Sequence, residues 1–505
     1  MSFLQKFFIL ILIVTFFSCG CLNKSSSVSM DKTPVSTGNI QSVTAKTHAP
    51  ITPTPVDKTP TSIDNISKLI DKNIIISEHI FKGSGIDVGA SVAISPDGIV
   101  WVIGIAESDT EPGSIPPSKH KESDVWLIGI DPKKSKGEQI IYNRCFGGDG
   151  SDAGYDIAVA QNGIVWIVGG TNSSAGRGDI PKSKYENLDA WLLGIDPKKN
   201  DSNQIIYNRC FGGNNQDLMT SITLSQDDII WLSGETNSTG GKGDIPLSKH
   251  KDNDGWLLGI DPKKSESKQI VYNRCFGGDE NDKFSARALV IDKNGTLWLT
   301  ATTDSSPDTG DVPQSKHEMR DIWVLGIDPP KSESEQIVYN RCFGGNGDET
   351  SSSIVVDSEG ILWVLGDTSS NAPNDHLSYD IWLLGLDPKK SEDKQIIYNR
   401  CFGNNAANDE SRVMAVDKNG TLWLVGTANG TESFSAWIAG INPRKSENEQ
   451  IVYNRLLDKE SYSNVLGIAV DKNSIWMTGI FKQFPGNKKS LDKPDFGLWI
   501  VGLKY

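Results

Sequence analysis

The chain is poor in the residues that most often carry catalysis or bind nucleic acid. Its 505 residues include six histidines and seven cysteines, and its formal net charge is -14. Nucleic-acid binding needs a basic surface that neutralises phosphates, so this charge argues against a nucleic-acid partner. No motif places a histidine with a nucleophilic serine or cysteine in a catalytic pattern. The sequence therefore favours a binding or scaffolding protein over a recognisable enzyme.

The apolar run near the N-terminus does not match the length of a membrane-spanning segment. The apolar run Phe7–Phe17 is too short for a comfortable span. Lys6 precedes it and Ser-Cys-Gly-Cys follows it, so residues 1–21 are predicted to be a signal peptide whose end resembles a prokaryotic lipobox. Lipid attachment is expected at Cys21, with Cys19 as the alternative. An uncleaved anchor is the other interpretation, and both interpretations predict an exported protein held at a membrane in the cell envelope.

Residues 22–72 have little that could build a core. They are rich in Ser, Thr, Pro and Lys, as in THAPITPTPVDKTPTS. Such a composition is typical of a disordered or semi-extended tether. We expect this tether to hold residues 73–505 away from the membrane.

Tryptophan reveals an internal repeat. The first members of successive tryptophan pairs are separated by 65, 65, 67, 65, 60 and 53 residues. Long-range self-similarity of this kind indicates a repeat architecture. The seven pairs are Trp101/Trp126, Trp166/Trp191, Trp231/Trp256, Trp298/Trp323, Trp363/Trp382, Trp423/Trp437 and Trp476/Trp499.

Each repeat predicts four strands, named a to d. In the second repeat they are expected at Asp156–Ala160, Ile164–Gly169, Ala190–Ile195 and Gln204–Phe211, with an Asn-Gly hairpin signal between the first two. Strands b and c are almost continuously apolar, which is typical of strands buried on both faces. Four-stranded sheets packed face to face around an axis satisfy that requirement. The sequence therefore predicts an all-β fold, a seven-bladed β-propeller with four-stranded blades.

The two ends of the array predict how the ring closes. The last repeat stops after strand c, at Leu498–Leu503, while an orphan strand, Asn73–Lys82, precedes the first repeat. Ile80–Phe81 aligns with Cys145–Phe146 of strand d. Pairing of this N-terminal strand in the last blade would remove the exposed sheet edges that promote aggregation. An open solenoid would need distinct capping units, and the sequence shows none.

The stretch from Cys145 to Lys184 and its copies resemble the β-propeller repeats of secreted bacterial and archaeal surface lipoproteins. The shared pattern has paired glycines, an Asp, an I-x-V strand, a Gly turn, a G-x-T-x-S segment and a D-x-W strand. In the sixth repeat Ser435 replaces the aspartate, and the seventh repeat is shifted. The resemblance covers essentially all of 73–505 and implies a propeller, but it implies little about function. The D-x-W matches are Asp124/Trp126, Asp189/Trp191, Asp254/Trp256, Asp321/Trp323 and Asp380/Trp382.

The long b–c loops of repeats one to four form the predicted binding surface. Long loops on a rigid scaffold are where binding usually resides, so we expect a partner to contact residues 106–124, 171–189, 235–254 and 302–321. A lysine followed by histidine or tyrosine recurs at one place in these loops and favours an anionic group on the partner. These candidate binding residues are Lys119, His120, Lys184, Tyr185, Lys249, His250, Lys316 and His317.

An acidic residue recurs just before strand a, the strand nearest the axis. Converging carboxylates can hold calcium, but calcium loops concentrate several oxygen ligands in a short stretch, and this motif does not. We therefore expect each acid to cap its own turn by accepting backbone N–H groups, and we expect no cofactor. The axial acidic positions are Asp87, Asp152, Asp217, Glu349 and Asp409, with Asp282 and Glu460 close to the corresponding places.

The other recurring polar residues are also interpreted as structural. The histidines lie in different repeats, too far apart to share a zinc ion. The basic c–d turns are expected to be solvated, as a positive rim on the opposite face. Ile80 and Leu456 replace the strand-d cysteine in two blades, so the remaining cysteines are expected to be buried free thiols beyond disulfide reach. These are Cys145, Cys210, Cys275, Cys342 and Cys401.

Two functions from different classes remain. The first is a monomeric, non-enzymatic surface propeller that binds a protein or polysaccharide partner or serves as an envelope scaffold. The second is an exported carbohydrate-active enzyme with its site in the axial cleft. Glycoside hydrolysis needs two placed carboxylates, and acids unique to particular blades would favour it. No convincing pair is seen, so the binding function is expected.

Overall fold

The computed structural model describes residues 74–505 except 82–84, 108–115, 117–118, 121, 183, 186, 251, 318, 371–378, 403–409, 430–433, 458–463 and 484–494. The predicted signal segment, both candidate lipid-attachment cysteines and the tether lie outside the described residues. Within the described ranges, the regular elements are β-strands apart from two short 3-10 helices, Glu266–Lys268 and Glu447–Glu449. Among the helices of the described residues, none has the length and apolar character needed to cross a membrane.

Seven four-stranded antiparallel sheets surround an axis, and each sheet is one blade. Blades 1 to 4 each take four consecutive strands in the order a, b, c, d. Blade 1 is β2 (Asp87–Ile94), β3 (Val100–Ala106), β4 (Asp124–Ile130) and β5 (Ile140–Phe146). Blade 2 is β6 (Asp152–Val159), β7 (Val165–Thr171), β8 (Asp189–Ile195) and β9 (Ile205–Phe211). Blade 3 is β10 (Asp217–Leu224), β11 (Ile230–Thr236), β12 (Asp254–Ile260) and β13 (Ile270–Phe276). Blade 4 is β14 (Asp282–Ile291), β15 (Leu297–Thr303), β16 (Asp321–Ile327) and β17 (Ile337–Phe343).

Blades 5 and 6 follow the same order, and blade 7 combines both ends of the ring. Blade 5 is β18 (Glu349–Val356), β19 (Leu362–Thr368), β20 (Asp380–Leu386) and β21 (Ile396–Phe402). Blade 6 is β22 (Glu410–Val416), β23 (Leu422–Asn429), β24 (Phe434–Ile441) and β25 (Ile451–Leu456). Blade 7 is β26 (Asn464–Val470), β27 (Ser474–Gln483), β28 (Asp495–Lys504) and β1 (Ile75–Phe81).

The N-terminal strand closes the ring as predicted. Blade 7 has the strand order β1-β28-β27-β26. In this blade Ile80 lies opposite Trp499, just as Cys145 lies opposite Trp126 in blade 1. The seven-bladed propeller with N-terminal strand pairing in the last blade is therefore confirmed.

Paired tryptophans build the hydrophobic cores between blades. Trp101 of strand b in blade 1 and Trp191 of strand c in blade 2 belong to one buried cluster with Ile103, Phe146 and Leu193. Comparable clusters fill the other junctions. Strands b and c are buried along their whole length, which explains their continuous apolar sequence.

A glycine in strand c makes room for the strand-b indole. A Cβ on Gly129 would stand 2.8 Å from the Trp101 ring, closer than carbon atoms pack. Tyr142 of strand d meets the same indole edge-on, with ring centroids 5.5 Å apart. The recurrence of Trp, Gly and Tyr in every repeat from the first to the sixth thus follows from one packing arrangement.

Strand a begins earlier than the sequence predicts. The second repeat was expected to start this strand at Asp156, but β6 begins at Asp152. A β-bulge between Gly154 and Asp156 allows Asp152 to pair with Thr171, because the bulge absorbs one extra residue. The polar, glycine-containing start of the strand resembles a loop in sequence, and only its position beside the axis makes it a buried strand.

Side chains of strand d fasten each blade to the next at the outer rim. Tyr142 of blade 1 donates its hydroxyl to Gln204 of blade 2. Arg144 donates to the carbonyl oxygen of Asp201 at 2.9 Å while its guanidinium lies 4.8 Å from the centre of the Phe146 ring. Equivalent Tyr–Gln and Arg–carbonyl contacts connect blades 2 to 6 in sequence.

The closing junction between blades 7 and 1 uses different side chains. β1 carries Ser77 and His79 where the other outer strands carry tyrosine and arginine. Both contact Gln139 of blade 1, at 2.9 and 3.1 Å. Burial lowers the pKa of His79, so this ring is neutral at physiological pH and supplies no permanent cation. His79 therefore does not supply the positive charge that Arg144 supplies at the junction between blades 1 and 2.

The strand-d cysteines are free thiols, as predicted. Cys145, Cys210, Cys275 and Cys342 are buried, and Cys401 is partly buried. Burial raises the pKa of Cys145 and Cys210 above the ordinary thiol value. They act as small apolar residues in the junctions between blades.

Candidate functional site

The strands of every blade form a meander, so the connections fall on two faces. The b–c and d–a connections emerge on one face, which we call the loop face, and the a–b and c–d connections on the other, the turn face. The b–c connections of blades 1 to 4 span residues 107–123, 172–188, 237–253 and 304–320. We call these four loops the collar. They occupy one side of the loop face, because the later blades have shorter b–c connections, such as 430–433 in blade 6.

Each described collar loop is fastened to the preceding blade. The Asp179 N–H donates to the carbonyl oxygen of Gly147 at 2.8 Å, and its carboxylate lies 3.9 Å from Arg144. Ile180, the next residue, is buried in the core between blades 1 and 2. The loops of blades 3 and 4 repeat this arrangement, with the pairs Arg209–Asp244 and Arg274–Asp311 at 3.5 and 2.8 Å. The collar loops of blades 2 to 4 are therefore part of the rigid ring.

The four repeated lysines contact their own loops. Lys184 Nζ donates to the carbonyl oxygens of Tyr185 at 3.0 Å and Asn187 at 2.5 Å, and it lies 3.2 Å from the buried carboxylate of Asp189. Only 3% of its side chain is exposed. Lys119, Lys249 and Lys316 make the equivalent carbonyl contacts. The structure gives these lysines an internal role, which differs from the partner-binding role expected from the sequence.

The residue after each lysine lies between neighbouring loops. The Nδ1 atom of His250 is 3.3 Å from Asp254, the first residue of β12, and its Nε2 atom lies against Gly310 of the next loop. The contact with Asp254 raises the pKa of His250. His120 and His317 make the same contact with the aspartates four residues later, at 3.2 and 3.0 Å. In blade 2, Tyr185 takes this place and hydrogen-bonds to Asp244 of the next loop.

The tips of the collar present different side chains to solvent. Arg177 and Lys242 occupy equivalent positions in blades 2 and 3, and both are exposed. Leu247 is 88% exposed. Arg177 stands between Gly176 and Gly178, which have φ angles of 73° and 57°, a conformation that favours glycine. The sequence reasoning missed these cations, although the glycines around them indicate a tight, protruding tip. Polar neighbours that are also exposed are Asn172, Ser174, Asn237 and Thr239.

The acids at the start of strand a are buried hydrogen-bond acceptors. Asp217 accepts from the Gly213 N–H at 2.7 Å, from Ser238 Oγ at 2.8 Å and from Thr236 Oγ1 at 2.5 Å. Equivalent bonds serve Asp152, Asp282 and Glu349, and Asp87 accepts from the Glu107 N–H. Asp409 and Glu460 lie outside the described residues. In the part of the chain that the structure describes, no three or more His, Cys, Asp or Glu side chains are grouped to hold a metal ion.

A second buried carboxyl lies close to these acids at each collar junction. A Cβ on Gly147 would be 2.2 Å from Asp124 Oδ1 and 2.7 Å from Asp152 Oδ2, so the two carboxyls flank one glycine. Burial raises the pKa of Asp152 and of Asp189 to about 7 and that of Asp282 to about 6. These carboxyls therefore take up protons near neutral pH. The equivalent pairs are Asp189/Asp217, Asp254/Asp282 and Asp321/Glu349.

We expect the propeller to be more stable at pH 5.5 than at pH 8.5. A carboxyl with a pKa of about 7 when folded and about 4 when unfolded binds its proton more tightly in the folded chain. Its contribution to stability is therefore lost as the pH rises through 6 to 7. The melting temperature should fall by roughly 5 °C or more across this range. Asp152→Asn keeps an acceptor for Gly148 and Ser173 and should raise the melting temperature only at pH 8.5. Equal melting temperatures at both pH values would contradict this account.

One ion pair crosses the axis, and the described residues of the other blades do not repeat it. Arg287 of β14 has a φ angle of 57°, and its guanidinium donates to the carbonyl oxygens of Ala90 in blade 1 and Leu466 in blade 7. It lies 3.8 Å from Asp156 in blade 2. Asp156 also accepts from Ser91 in blade 1 and from the N–H of residue 222 in blade 3. This network joins five of the seven blades across the axial cleft.

The strand that carries Arg287 is longer than its counterparts, and the sequence shows this. β14 has 10 residues, against 8 in the strands a of blades 1, 2, 3 and 5. The two extra residues account for the tryptophan interval of 67 where its neighbours are 65. A longer interval within a regular repeat thus marks the blade that departs from the others.

Two further acids lie in strand b. Glu235 and Asp367 hold the same strand-b position in blades 3 and 5. Glu235 lies 3.8 Å from Lys283. Asp367 accepts from the Ser411 N–H at 2.8 Å, and burial raises its pKa to about 7. Glu235 thus faces a cation, whereas the nearby Glu410 carboxylate adds to the rise in the pKa of Asp367.

Comparison with known proteins assigns no family to the chain. No family model matches the chain, and no curated protein matches it. A protein of unknown function from Bacteroides caccae is 10% identical, covering 57% of this chain and 78% of its own, with a TM-score of 0.33. A PQQ-bound aldose sugar dehydrogenase from Streptomyces coelicolor is 12% identical, covering 71% and 96%, with a TM-score of 0.34. A thermostable family-43 glycoside hydrolase is 12% identical, covering 55% and 86%, with a TM-score of 0.31. Similarity at this level does not indicate what this chain binds.

Proposed function

We propose that this chain is an exported surface propeller whose collar binds a protein or polysaccharide partner without catalysing a reaction. The observation that carries the proposal is the construction of the collar. Its loops are fastened to the preceding blade through Asp179, Asp244 and Asp311, so their tips are held in fixed relative positions. Loops that are already ordered lose little conformational entropy on binding, which favours affinity.

The chemistry of the exposed tips indicates the class of partner. Arg177 and Lys242 supply two cations that are set among exposed Asn, Ser and Thr side chains. Such surfaces make adaptable hydrogen bonds to hydroxyl and carboxylate groups. An acidic polysaccharide or an acidic protein surface fits this pattern. The partner is therefore still expected to be anionic, but Arg177 and Lys242 take the place of the repeated lysines as its contacts.

The alternative, a carbohydrate-active enzyme with an axial site, has less support. Arg287 and Asp156 cross the cleft, and Asp367 shares its raised pKa with the buried acids Asp152 and Asp189. Turnover of chromogenic glycosides by the purified ectodomain, lost in Asp367→Asn, would favour the enzyme over the binding protein.

The proposal includes a membrane anchor and a monomeric state. The apolar run Phe7–Phe17, the Cys21 or Cys19 lipidation site and the tether 22–72 support an anchored surface lipoprotein. The resemblance of the repeats to secreted bacterial and archaeal propellers agrees with export. The full chain should partition into detergent. A Cys19→Ala/Cys21→Ala variant that still fractionates with membranes and keeps its N-terminus would instead show an uncleaved anchor.

The collar is tested by reversing its charge. The ectodomain is first screened against surface glycans and envelope proteins, and the partner found is titrated against variants. Arg177→Glu/Lys242→Glu should weaken binding of an anionic partner roughly tenfold without changing the melting temperature, because both side chains are exposed. Lys199→Glu/Lys264→Glu makes the same charge change on the turn face and should leave affinity intact. Equal losses in the two variants would show that only net charge matters.

A further inference from the structure

Two histidines of the collar lie between neighbouring loops. His250 of the blade 3 loop has its Nδ1 atom 3.3 Å from the fully buried carboxylate of Asp254. Its Nε2 atom lies on the other side of the ring, beside Gly310 of the blade 4 loop, where an added Cβ would come within 2.9 Å of it. His120 of the blade 1 loop lies in the same way against Gly178 of the blade 2 loop. Each ring therefore faces its own blade with one nitrogen and the next loop with the other.

The glycine beside Nε2 comes directly before the residue that fastens the next loop. The Asp311 N–H donates to the carbonyl oxygen of Gly277 at 2.8 Å, and the Asp311 carboxylate lies 2.8 Å from Arg274. The hydrogen bond to Asp254 is the largest cause that raises the pKa of His250, and the charge of Asp311 raises it further. His250 thus lies under the influence of two carboxylates, one in its own blade and one in the next loop.

Protonation decides how many of these groups the ring can serve. A neutral imidazole carries one N–H donor, whereas an imidazolium carries two. When Nδ1–H is used by Asp254, only the protonated ring of His250 also presents an N–H to the blade 4 loop. The raised pKa of His250 shows that the folded chain favours the protonated ring. The charged groups around this ring are Asp254, Asp311, Lys249, Arg274 and Asp282.

The junction between the loops of blades 2 and 3 is built with a tyrosine instead. Tyr185 hydrogen-bonds to Asp244 of the blade 3 loop, and burial raises its pKa above the ordinary value of 10.0. Asp244 is the counterpart of Asp311, since its N–H donates to the carbonyl oxygen of Gly212 at 2.8 Å and its carboxylate lies 3.5 Å from Arg209. This junction therefore has a similar contact whose ring does not titrate near neutral pH.

We propose that protonation of His120 and His250 stabilises the contacts between neighbouring collar loops, so that these loops separate more readily as the pH rises. A histidine whose folded pKa is raised contributes stability that is fully present below its unfolded pKa of about 6.5 and is lost as the pH rises through its folded pKa. The loop fastened through Asp311 should therefore respond to pH, and the loop fastened through Asp244 should respond less. As a control of partner binding this inference rests on the proposed function, but the contacts belong to the free chain and are tested without a partner.

Hydrogen exchange of the free ectodomain at pH 6 and pH 9 measures this effect, with each rate divided by the rate of an unstructured peptide at the same pH. Protection of residues 304–320 should fall roughly threefold or more, relative to residues 237–253, between the two pH values. The comparison within one molecule removes any change in the stability of the whole propeller. His250→Tyr copies the blade 2 junction and should abolish the difference. Tyr185→His should give residues 237–253 the same dependence on pH.

Two outcomes overturn the proposal. One is an equal change of protection in both segments of the native ectodomain. The other is an undiminished difference in a folded His250→Tyr variant, which would assign the pH dependence to the buried carboxyls. If His250→Tyr fails to fold, Tyr185→His decides the matter, because residues 237–253 that stay insensitive to pH would contradict the proposal. A screen that returns no partner leaves these ratios unchanged, so this inference and the proposed function fail separately.

Discussion

Replacing Arg287 with methionine should lower the free energy of unfolding by about 3–5 kcal/mol, the usual cost of removing one partner from a buried ion pair. The guanidinium contacts carbonyl oxygens in blades 1 and 7 and the Asp156 carboxylate in blade 2. When the guanidinium is removed, the Asp156 carboxylate loses its cation and the two carbonyl oxygens lose a donor. Urea unfolding of the ectodomain, followed by tryptophan fluorescence, measures the loss.

Two companion variants separate this effect from a general loss of charge. Arg287→Met/Asp156→Asn removes both charges and should recover part of the lost stability, because the buried carboxylate is no longer uncompensated. Arg320→Met removes a more exposed arginine that faces Asp348 at 3.1 Å and should cost under about 1 kcal/mol. If Arg287→Met and Arg320→Met cost the same, the axial network does not hold the blades together.

Deleting residues 73–82 from the ectodomain should lower the melting temperature by on the order of 10 °C and promote aggregation. The deletion removes β1, whose seven residues (Ile75–Phe81) complete blade 7. The edge of β28 would then be open to strands of other molecules. It also removes Phe81, which is buried against Trp126 with ring centroids 5.1 Å apart.

A peptide with the sequence of residues 73–82 provides the matched control. Added in excess, it should restore the melting temperature and the monomeric state, whereas a scrambled peptide should not. Restoration is expected because the closing junction depends on Ser77 and His79 contacts to Gln139, which a separate strand can make. Unchanged melting of the deleted protein would contradict closure by β1.

Local periodicity explains how much of this fold the sequence predicts. The tryptophan pairs and the strand-c glycine, such as Trp101 and Gly129, reflect one packing arrangement that is repeated in the blades. Blade number, strand order and closure can be predicted from this repeat. The start of strand a does not, since Asp152 looks like a loop residue until the axis buries it.

The candidate site was predicted less well, because its roles depend on contacts between blades. A lysine repeated in long loops suggests a ligand, yet Lys184 contacts a carbonyl oxygen of its own loop and the Asp189 carboxylate at the start of β8. Arg287 contacts residues of blades that are far away in sequence, and no local sequence pattern predicts those contacts.

Hydrogen exchange of the ectodomain, with and without the partner that the screen returns, tests the collar most directly. We expect the partner to slow exchange in residues 172–188, 237–253 and 304–320 and to leave the turn face unchanged. The fastened loops should already be partly protected in the free protein, because their N–H groups bond to the preceding blades. Protection confined to the c–d turns at 196–204, 261–269 and 328–336 would contradict the account.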